Sequence, residues 1–363
     1  MSLEHLSEYR DKALCLSLAK QIGQRHRIPI RLMEVCGTHT MSISRFGIRD
    51  LLPDTISLLS GPGCPVCVTS QGEIDQFIKL SRMQNVILAT FGDLMRVPGS
   101  RSSLQQERAS GADVRVVYSA LDCLQIAKDH PEKNVVFLGV GFETTAPTIA
   151  ASIITARKEK LTNFFVISAH KLVPPALIAL LEHQDVNVNG FICPGHVSVI
   201  IGGIAYQPIV DTYKIPSVIA GFEPVDILQS ILMLVEQIES GASKIEIAYR
   251  RGVSFEGNRK AREIMYRVFE PVDAVWRGLG MIPKSGLKVH QDYEMHDAVK
   301  KFGLQVEDVP EPAGCMCGSV LSGIKTPADC PLFAKRCTPD DPVGPCMVST
   351  EGACAAHYKY HRI

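Results

Sequence analysis

The sequence predicts an α/β fold with two domains built on mostly parallel sheets and flanking helices, followed by a small loop-rich C-terminal domain. Short continuous apolar runs, typical of parallel strands that are buried on both faces, alternate with helix-like segments. The chain has 363 residues and is 46% hydrophobic, which is enough for more than one core. After about residue 285 the alternation stops and the chain becomes rich in cysteine.

The predicted elements follow in order along the chain. Apolar residues at helical spacing predict an amphipathic N-terminal helix within residues 3–22. Strand-like runs come next, at residues 30–35, 56–59, 86–90, 114–118, 135–140, 164–169, 190–192, 217–220 and 245–249. Helix-like segments separate them, among them residues 147–158, 174–183 and 225–240.

So many strands are more typical of two sheets than of one. We expect a boundary between two α/β domains near residues 120–132, in the polar stretch at 128–133. The predicted division is an N-terminal helix at 1–25, a first α/β domain at 26–125 with a return segment at about 235–285, a second α/β domain at 126–234 and the C-terminal domain at 286–363.

Composition and charge exclude several classes of function. Acidic and basic residues balance at 38 each, so the chain lacks the basic excess of a general nucleic-acid binder. No apolar run approaches the roughly 18 residues of a membrane span, and the charged N-terminal stretch is unlike a signal peptide. We therefore expect a cytoplasmic protein without membrane contact. Structural disulfides are rare in that compartment, so the twelve cysteines favour metal or redox chemistry.

Cys64 and Cys67 lie in the turn GPGCPVC at positions 61–67, between a strand-like run and a helix-like run. A helix N-terminus lowers the pKa of a thiol and favours the thiolate, which attacks disulfides and binds metals. We expect this pair to form a reversible disulfide or to share a metal. The alternative is two buried small hydrophobic residues beside a Gly-Pro turn.

Cys36 follows the strand-like run at 30–35, and His39 comes three positions later, on the same face if a helix begins at Gly37. We expect Cys36 to be a thiolate at neutral pH and a third soft-metal ligand, with His39 tuning it or moving protons. The alternative is a core cysteine and a surface histidine. The predicted catalytic set is therefore Cys36, His39, Cys64 and Cys67.

Several other strand ends carry glycine-containing or polar turns, and ligands bind at the carboxyl ends of parallel strands. Glu143 lies in such a turn, GFETT at 141–145, which resembles an anion-binding turn at a helix N-terminus. The sequence contains neither GxxxxGK[ST] nor GxGxxG, so nucleotide binding is not supported. We expect Glu143 to line a cleft between the two α/β domains instead.

The C-terminal segment holds six cysteines between positions 315 and 354. Zinc sites usually show two tight cysteine pairs, which this segment lacks, whereas thiolates on long loops suit a [4Fe–4S] cluster. Structural zinc and unmetallated thiols are the alternatives. The predicted cluster ligands are Cys330, Cys337, Cys346 and Cys354, and either Cys315 or Cys317 is the substitute for one of them.

Together these motifs resemble the HypD family, maturation proteins of [NiFe] hydrogenases. The resemblance rests on CGTHT at 36–40, GPGCPVCVT at 61–69, GFETTAP at 141–147, and the segments CPLF at 330–333 and PCMVS at 345–349. It extends from about residue 31 to about residue 355. The motifs together are far more specific than one Cys-x-x-Cys.

The resemblance implies two α/β domains and a C-terminal [4Fe–4S] domain. It also implies that the chain works with a small HypC-type chaperone, receives cyanide from a HypE-type partner, and holds the iron on which the Fe(CN)2CO group is assembled. By this resemblance Cys36, Cys64 and Cys67 are the iron-site and redox cysteines, and His39 is the motif histidine. Whether such a scaffold counts as an enzyme stays open. The alternative function is a thiol–disulfide oxidoreductase with an iron–sulfur cluster.

Overall fold

The structure, a computed structural model, describes residues 8–361. Strands and helices alternate over most of the chain, which confirms the predicted α/β class. The strands are β1 (Ile30–Glu34), β2 (Ile56–Ser60), β3 (Val86–Thr90), β4 (Val114–Val116), β5 (Asn134–Gly139), β6 (Phe164–Ser168), β7 (Gly190–Pro194), β8 (Ser217–Ala220), β9 (Ile245–Ile247), β10 (Phe269–Trp276) and β11 (Gly280–Val289).

Helices follow most of the strands. They are α1 (Lys12–Arg25), α2 (Gly37–Arg45), α3 (Pro65–Val68), α4 (Gln71–Ser81), α5 (Leu104–Ala109), α6 (Asp122–Asp129), α7 (Ala146–Lys158), α8 (Val173–Glu182), α9 (Gly195–Ile201), α10 (Gln207–Tyr213), α11 (Pro224–Ser240), α12 (Arg259–Val268), α13 (Ala298–Phe302), α14 (Cys317–Leu321), α15 (Pro345–Val348) and α16 (Ala353–Tyr360). The first residues of the predicted N-terminal helix, up to residue 7, lie outside the described residues.

The strands form two parallel sheets and one antiparallel hairpin. The first sheet has the order β2-β1-β7-β8-β9, and the second has the order β4-β3-β5-β6. β10 and β11 form a separate two-stranded sheet in antiparallel register. Strands β3 and β8 are buried along their whole length, as expected for parallel strands that are covered on both faces.

The sheets group the strands differently from the predicted domain ranges 26–125 and 126–234. β3 and β4 were expected in the first domain, but β3 pairs with β5, where Val86 lies opposite Asn134. β7 and β8 extend the first sheet, with β7 beside β1. The chain therefore returns to the first sheet at β7, well before residue 235. Local sequence patterns identify strands, but packing between distant segments selects their partners.

Three of the hydrophobic clusters within residues 8–361 hold the layers together. α1, α2 and α11 cover one face of the first sheet. α6, α7, α12 and the β10–β11 hairpin cover one face of the second sheet. The remaining faces of both sheets contribute to one continuous core, where Phe191 of the first sheet and Val136 of the second belong to the same cluster. Met33 and Val35 at the end of β1, and Cys64 and Cys67 after β2, belong to this core.

Residues 8–361 include no helix that is both long enough and apolar enough to cross a membrane.

Candidate metal and redox site

Two cysteine turns lie side by side at the carboxyl ends of β1 and β2. These strands are parallel neighbours, with Glu34 opposite Ser60. The backbone N–H of Gly37 donates to the Gly63 carbonyl over 2.9 Å. A Cβ atom on Gly63 would lie 2.1 Å from the Cys36 nitrogen, so only glycine permits this approach. The first turn carries Cys36, and the second leads directly into Cys64 and Cys67.

Cys36 is the residue before α2 and has a free, buried thiol. Burial raises the pKa of this thiol to about 12, and the charge of Glu351 adds to the effect. Backbone N–H groups of His39 and Thr38 oppose it. Burial therefore outweighs the helix N-terminus, so the predicted thiolate at neutral pH is wrong for this state. A thiolate at Cys36 requires a cation to replace the proton.

Cys64 and Cys67 are bonded to each other in a disulfide. Pro65 begins the short helix α3 between them, and the Cys67 N–H donates to Cys64 Sγ over 3.2 Å. Both residues are buried, at 3% and 0% exposure. In this oxidised state neither Cys64 nor Cys67 has a free thiol. Of the three predicted iron ligands, Cys36 is therefore the one with a free thiol.

Because the pair lies at a helix N-terminus, we expect it to interconvert between disulfide and dithiol. After mild reduction and alkylation, Cys64 and Cys67 should both become labelled, and reoxidation should restore one intramolecular bridge. Peptide mapping by mass spectrometry measures this. Because Cys67 is as buried as Cys123, alkylation is done in denaturant after the reduction has been quenched. A sample that skips the reduction is the control, and its Cys64–Cys67 pair should stay unlabelled. Failure to label the pair under reducing conditions that leave the fold intact would exclude a redox role.

His39 is fully buried on α2 and neutral. Its Nε2 lies 2.9 Å from the Gly221 carbonyl, and its ring stacks on Phe222 with centroids 5.0 Å apart. A carbonyl only accepts, so Nε2 carries the hydrogen and Nδ1 has the free lone pair. Nδ1 has no partner among the described side chains. Burial lowers the pKa of His39 to about 4. His39 is therefore a buried, neutral histidine. Its Nδ1 is a hydrogen-bond acceptor without a partner among the described residues.

Glu143 lies in the turn after β5 and is 2% exposed. Its Oε1 accepts the backbone N–H of Val173, the first residue of α8, over 3.0 Å. Oε2 has no partner in the described part of the chain. The carboxyl group is thus enclosed against α8, and burial raises its pKa to about 7.

The raised pKa of Glu143 predicts a pH-dependent stability. The folded protein binds this proton more tightly than the unfolded chain, whose carboxyl has a pKa of 4.5. The stabilisation is complete below about pH 4.5 and is lost as the pH rises to about 7, with a total of about 3 kcal/mol. Glu143→Gln keeps an acceptor for Val173 and removes the titration.

Urea unfolding of the wild type and of Glu143→Gln, compared from about pH 5 to about pH 8, measures this effect. The wild type should lose stability relative to the variant as the pH rises. Parallel pH profiles would show that Glu143 does not titrate in this range.

The C-terminal cysteines divide into one bonded pair and four free thiols. Cys317 and Cys346 form a disulfide, which joins α14 to α15. The free thiols line the same small pocket as this pair, and they are Cys315, Cys330, Cys337 and Cys354. Burial raises the pKa of Cys354, and the charges of the other three free thiols add to the effect. The four sulfurs are therefore near one another.

This grouping differs from the predicted cluster set in one residue. Cys346 was predicted as a ligand, but in this structure its sulfur is bonded to Cys317 and is not free. Cys315, predicted only as a substitute, lies with Cys330, Cys337 and Cys354 instead. Sequence spacing could not distinguish the two sets, because the chain folds back between residues 317 and 346. Nowhere in residues 8–361 do three metal-binding side chains converge as ligands of a single ion.

The C-terminal segment packs directly on the Cys36 turn. Glu351, which lies between α15 and α16, accepts a hydrogen bond from the Thr38 hydroxyl over 2.8 Å. A Cβ atom on Gly37 would lie 2.3 Å from the Glu351 Cβ atom. α16 packs against α2, and α15 packs against α3. The free thiols of the C-terminal segment therefore belong to the same region as Cys36 and the Cys64–Cys67 disulfide.

Comparison with known proteins identifies the family of this chain. The family model described as "HypD: Hydrogenase formation hypA family" matches residues 13–361. The chain belongs to this family. The hydrogenase maturation factor HypD2 of Bradyrhizobium diazoefficiens is 46% identical over 370 residues, covering 99% of this chain and 97% of the relative. HypD of Cupriavidus necator is 44% identical over 374 residues, covering 99% and 98%.

A third relative, the hydrogenase maturation factor HypD of Rhodobacter capsulatus, is 46% identical over 370 residues, covering 99% of this chain and 98% of the relative. The resemblance to the HypD family that the motifs indicated is confirmed. None of these three relatives is named as a general thiol oxidoreductase, so the alternative function has no support from them.

Two carboxylates at the site of this HypD-family chain, Glu34 and Glu351, were not predicted from the sequence. Glu34 is fully buried at the end of β1, where it accepts hydrogen bonds from the Cys36 N–H over 3.1 Å and from the Thr40 hydroxyl over 2.5 Å. Burial raises its pKa to about 8. An acidic residue within an apolar strand was a usable signal for Glu34. Glu351 had none, because its contact to Thr38 spans 313 positions.

Proposed function

We propose that this chain, a hydrogenase maturation factor of the HypD family, is the scaffold and redox component for assembly of the Fe(CN)2CO group of [NiFe] hydrogenases. The observation that supports this best is the meeting of three cysteine groups that are distant in sequence. Gly63 contacts Cys36, Glu351 contacts Gly37, and α15 packs on α3. A buried thiol, a disulfide and four free thiols thus share one region.

In this proposal Cys36 holds the iron cargo through Sγ. Iron with cyanide and carbonyl ligands is a soft centre and suits a thiolate. Since the pKa of the buried thiol is about 12, its proton must leave as the iron binds. The backbone N–H groups of His39 and Thr38 favour the thiolate that remains. Cys64 and Cys67 become further candidate iron ligands only after their disulfide is reduced.

The Cys64–Cys67 disulfide is the candidate redox group beside the iron. Its reduction takes up two electrons and two protons and gives two thiols. Cys315, Cys330, Cys337 and Cys354 fit a [4Fe–4S] cluster, because they are four unbonded thiols around one pocket. When bound, the cluster would relay the two electrons one at a time from an external one-electron reductant.

A maturation factor acts on other proteins, and we propose two of them here. A HypC-type chaperone would share the iron, and a HypE-type partner would donate cyanide. We place this work in the cytoplasm. The balance of 38 acidic and 38 basic residues gives no reason to add a nucleic-acid partner.

The test is an anaerobic copurification of the full chain with its HypC-type chaperone, followed by iron and acid-labile sulfide analysis and infrared spectroscopy. We expect more iron than the cluster itself accounts for, together with cyanide and carbonyl bands. A colourless preparation with zinc would contradict the proposal, and so would iron that never exceeds the cluster's own content.

A further inference from the structure

Arg277 is a buried cation that directly follows β10. The residue is only 2% exposed. Nε donates to the Thr69 carbonyl over 2.9 Å, and Nη1 donates to Gln71 Oε1 over 3.1 Å. Its backbone N–H donates to the Val68 carbonyl over 2.8 Å. These three bonds attach Arg277 to the segment that directly follows Cys67.

The charge of Arg277 is not compensated by these bonds, since all three acceptors are neutral. Nη2 is buried and has no acceptor among the residues described. A buried cation is costly unless an anion or a complete set of hydrogen bonds offsets the loss of water. Arginine does not solve this by losing its proton, because its guanidinium stays charged in proteins. The unused Nη2 is therefore a donor available to an anion.

The C-terminal cysteine segment lies next to Arg277. The following glycine, Gly278, has a φ of +74° and packs backbone to backbone on Gly318, since a Cβ atom on Gly278 would lie 2.0 Å from the Gly318 Cα atom. Gly318 directly follows Cys317. Burial lowers the pKa of Arg277, and the charges of Glu311 and then Cys315 oppose this. Cys315 is one of the four thiols that fit the cluster.

We propose that Arg277 is a positioning residue that sets a positive charge between the Cys64–Cys67 turn and the cluster thiols, and thereby raises the reduction potential of the cluster. The inference rests on the proposed cluster. A cluster with four thiolate ligands is anionic, and one-electron reduction adds a further negative charge without a proton. A nearby cation in a poorly solvated environment stabilises the reduced form more than the oxidised form.

The test compares the wild type with Arg277→Met and Arg277→Lys in anaerobic redox titrations followed by electron paramagnetic resonance. In Arg277→Met the equilibrium constant for one-electron reduction should fall about tenfold, which is about 59 mV. Arg277→Lys keeps the charge and should stay near the wild-type potential. The matched control is Arg115→Met, which removes an arginine of β4 that has its own partner, Asp113, and should leave the potential unchanged.

Two results would overturn the inference: an unchanged potential in Arg277→Met, or an equal fall in the Met and Lys variants. If Arg277→Met cannot hold a cluster, the Lys variant decides. A normal cluster in Arg277→Lys supports the role of the charge, and an equal loss in both variants refutes it. Iron and sulfide analysis of the wild type separates this outcome from a failure of the cluster proposal itself.

Discussion

Replacing Cys36 by Ser should abolish hydrogenase maturation while the fold and the cluster persist. Cys36 has the one free thiol among the three sulfurs at the ends of β1 and β2. Serine has nearly the same size but is a much poorer ligand for soft iron. The complex with the chaperone should therefore lose its cyanide and carbonyl infrared bands and keep its visible absorption. Hydrogenase activity should fall to the level of cells without the protein.

The matched control is Cys193→Ala, which removes a buried thiol from β7, the strand beside β1. Cys36→Ala is made alongside it, so that both changes are the same truncation at neighbouring strand ends. The control should keep the infrared bands. Bands of normal intensity in Cys36→Ser and Cys36→Ala would mean that Cys36 does not hold the iron, and the site would have to be redrawn around a reduced Cys64–Cys67 pair.

Replacing Cys337 by Ala should remove the [4Fe–4S] cluster, whereas replacing Cys346 by Ala should not. Cys337 is one of the four free thiols around the C-terminal pocket, and Cys346 is bonded to Cys317. The core of this segment is small, with Phe333, Cys337 and Met347 as its buried centre. A cluster would therefore also be a structural element. Cys337→Ala should lose visible absorption, iron and sulfide, and should become more sensitive to proteolysis after about residue 310.

Cys315→Ala completes this experiment, because it distinguishes the ligand set that the structure favours from the set that the spacing predicted. We expect Cys315→Ala to lose the cluster and Cys346→Ala to keep a full complement of iron and sulfide. The opposite pair of results would restore Cys330, Cys337, Cys346 and Cys354 as the ligands. The Cys317–Cys346 disulfide would then be one state of the protein without its cluster.

The sequence by itself determined the local elements and the chemistry that they carry. Each predicted strand is present, because a short apolar run that ends in glycine or a polar turn is a local property of the chain. Cys36, Cys64 and Cys67 were placed correctly at strand ends for the same reason. The β10–β11 hairpin was missed, although β10 alternates between buried and exposed residues as a strand should.

Only the tertiary structure decided which elements meet. Strand partners depend on packing between distant segments, so β3 joins β5 and β7 joins β1. The pKa of Cys36 is raised because burial there is completed by the segment around Glu351, more than 300 positions away. Cys346 is not among the free thiols because its disulfide to Cys317 joins α15 to α14. Cys315 lies among the free thiols instead. The burial of a residue, its electrostatic environment and its contacts depend on all of its neighbours in space. A local sequence pattern does not reveal those neighbours.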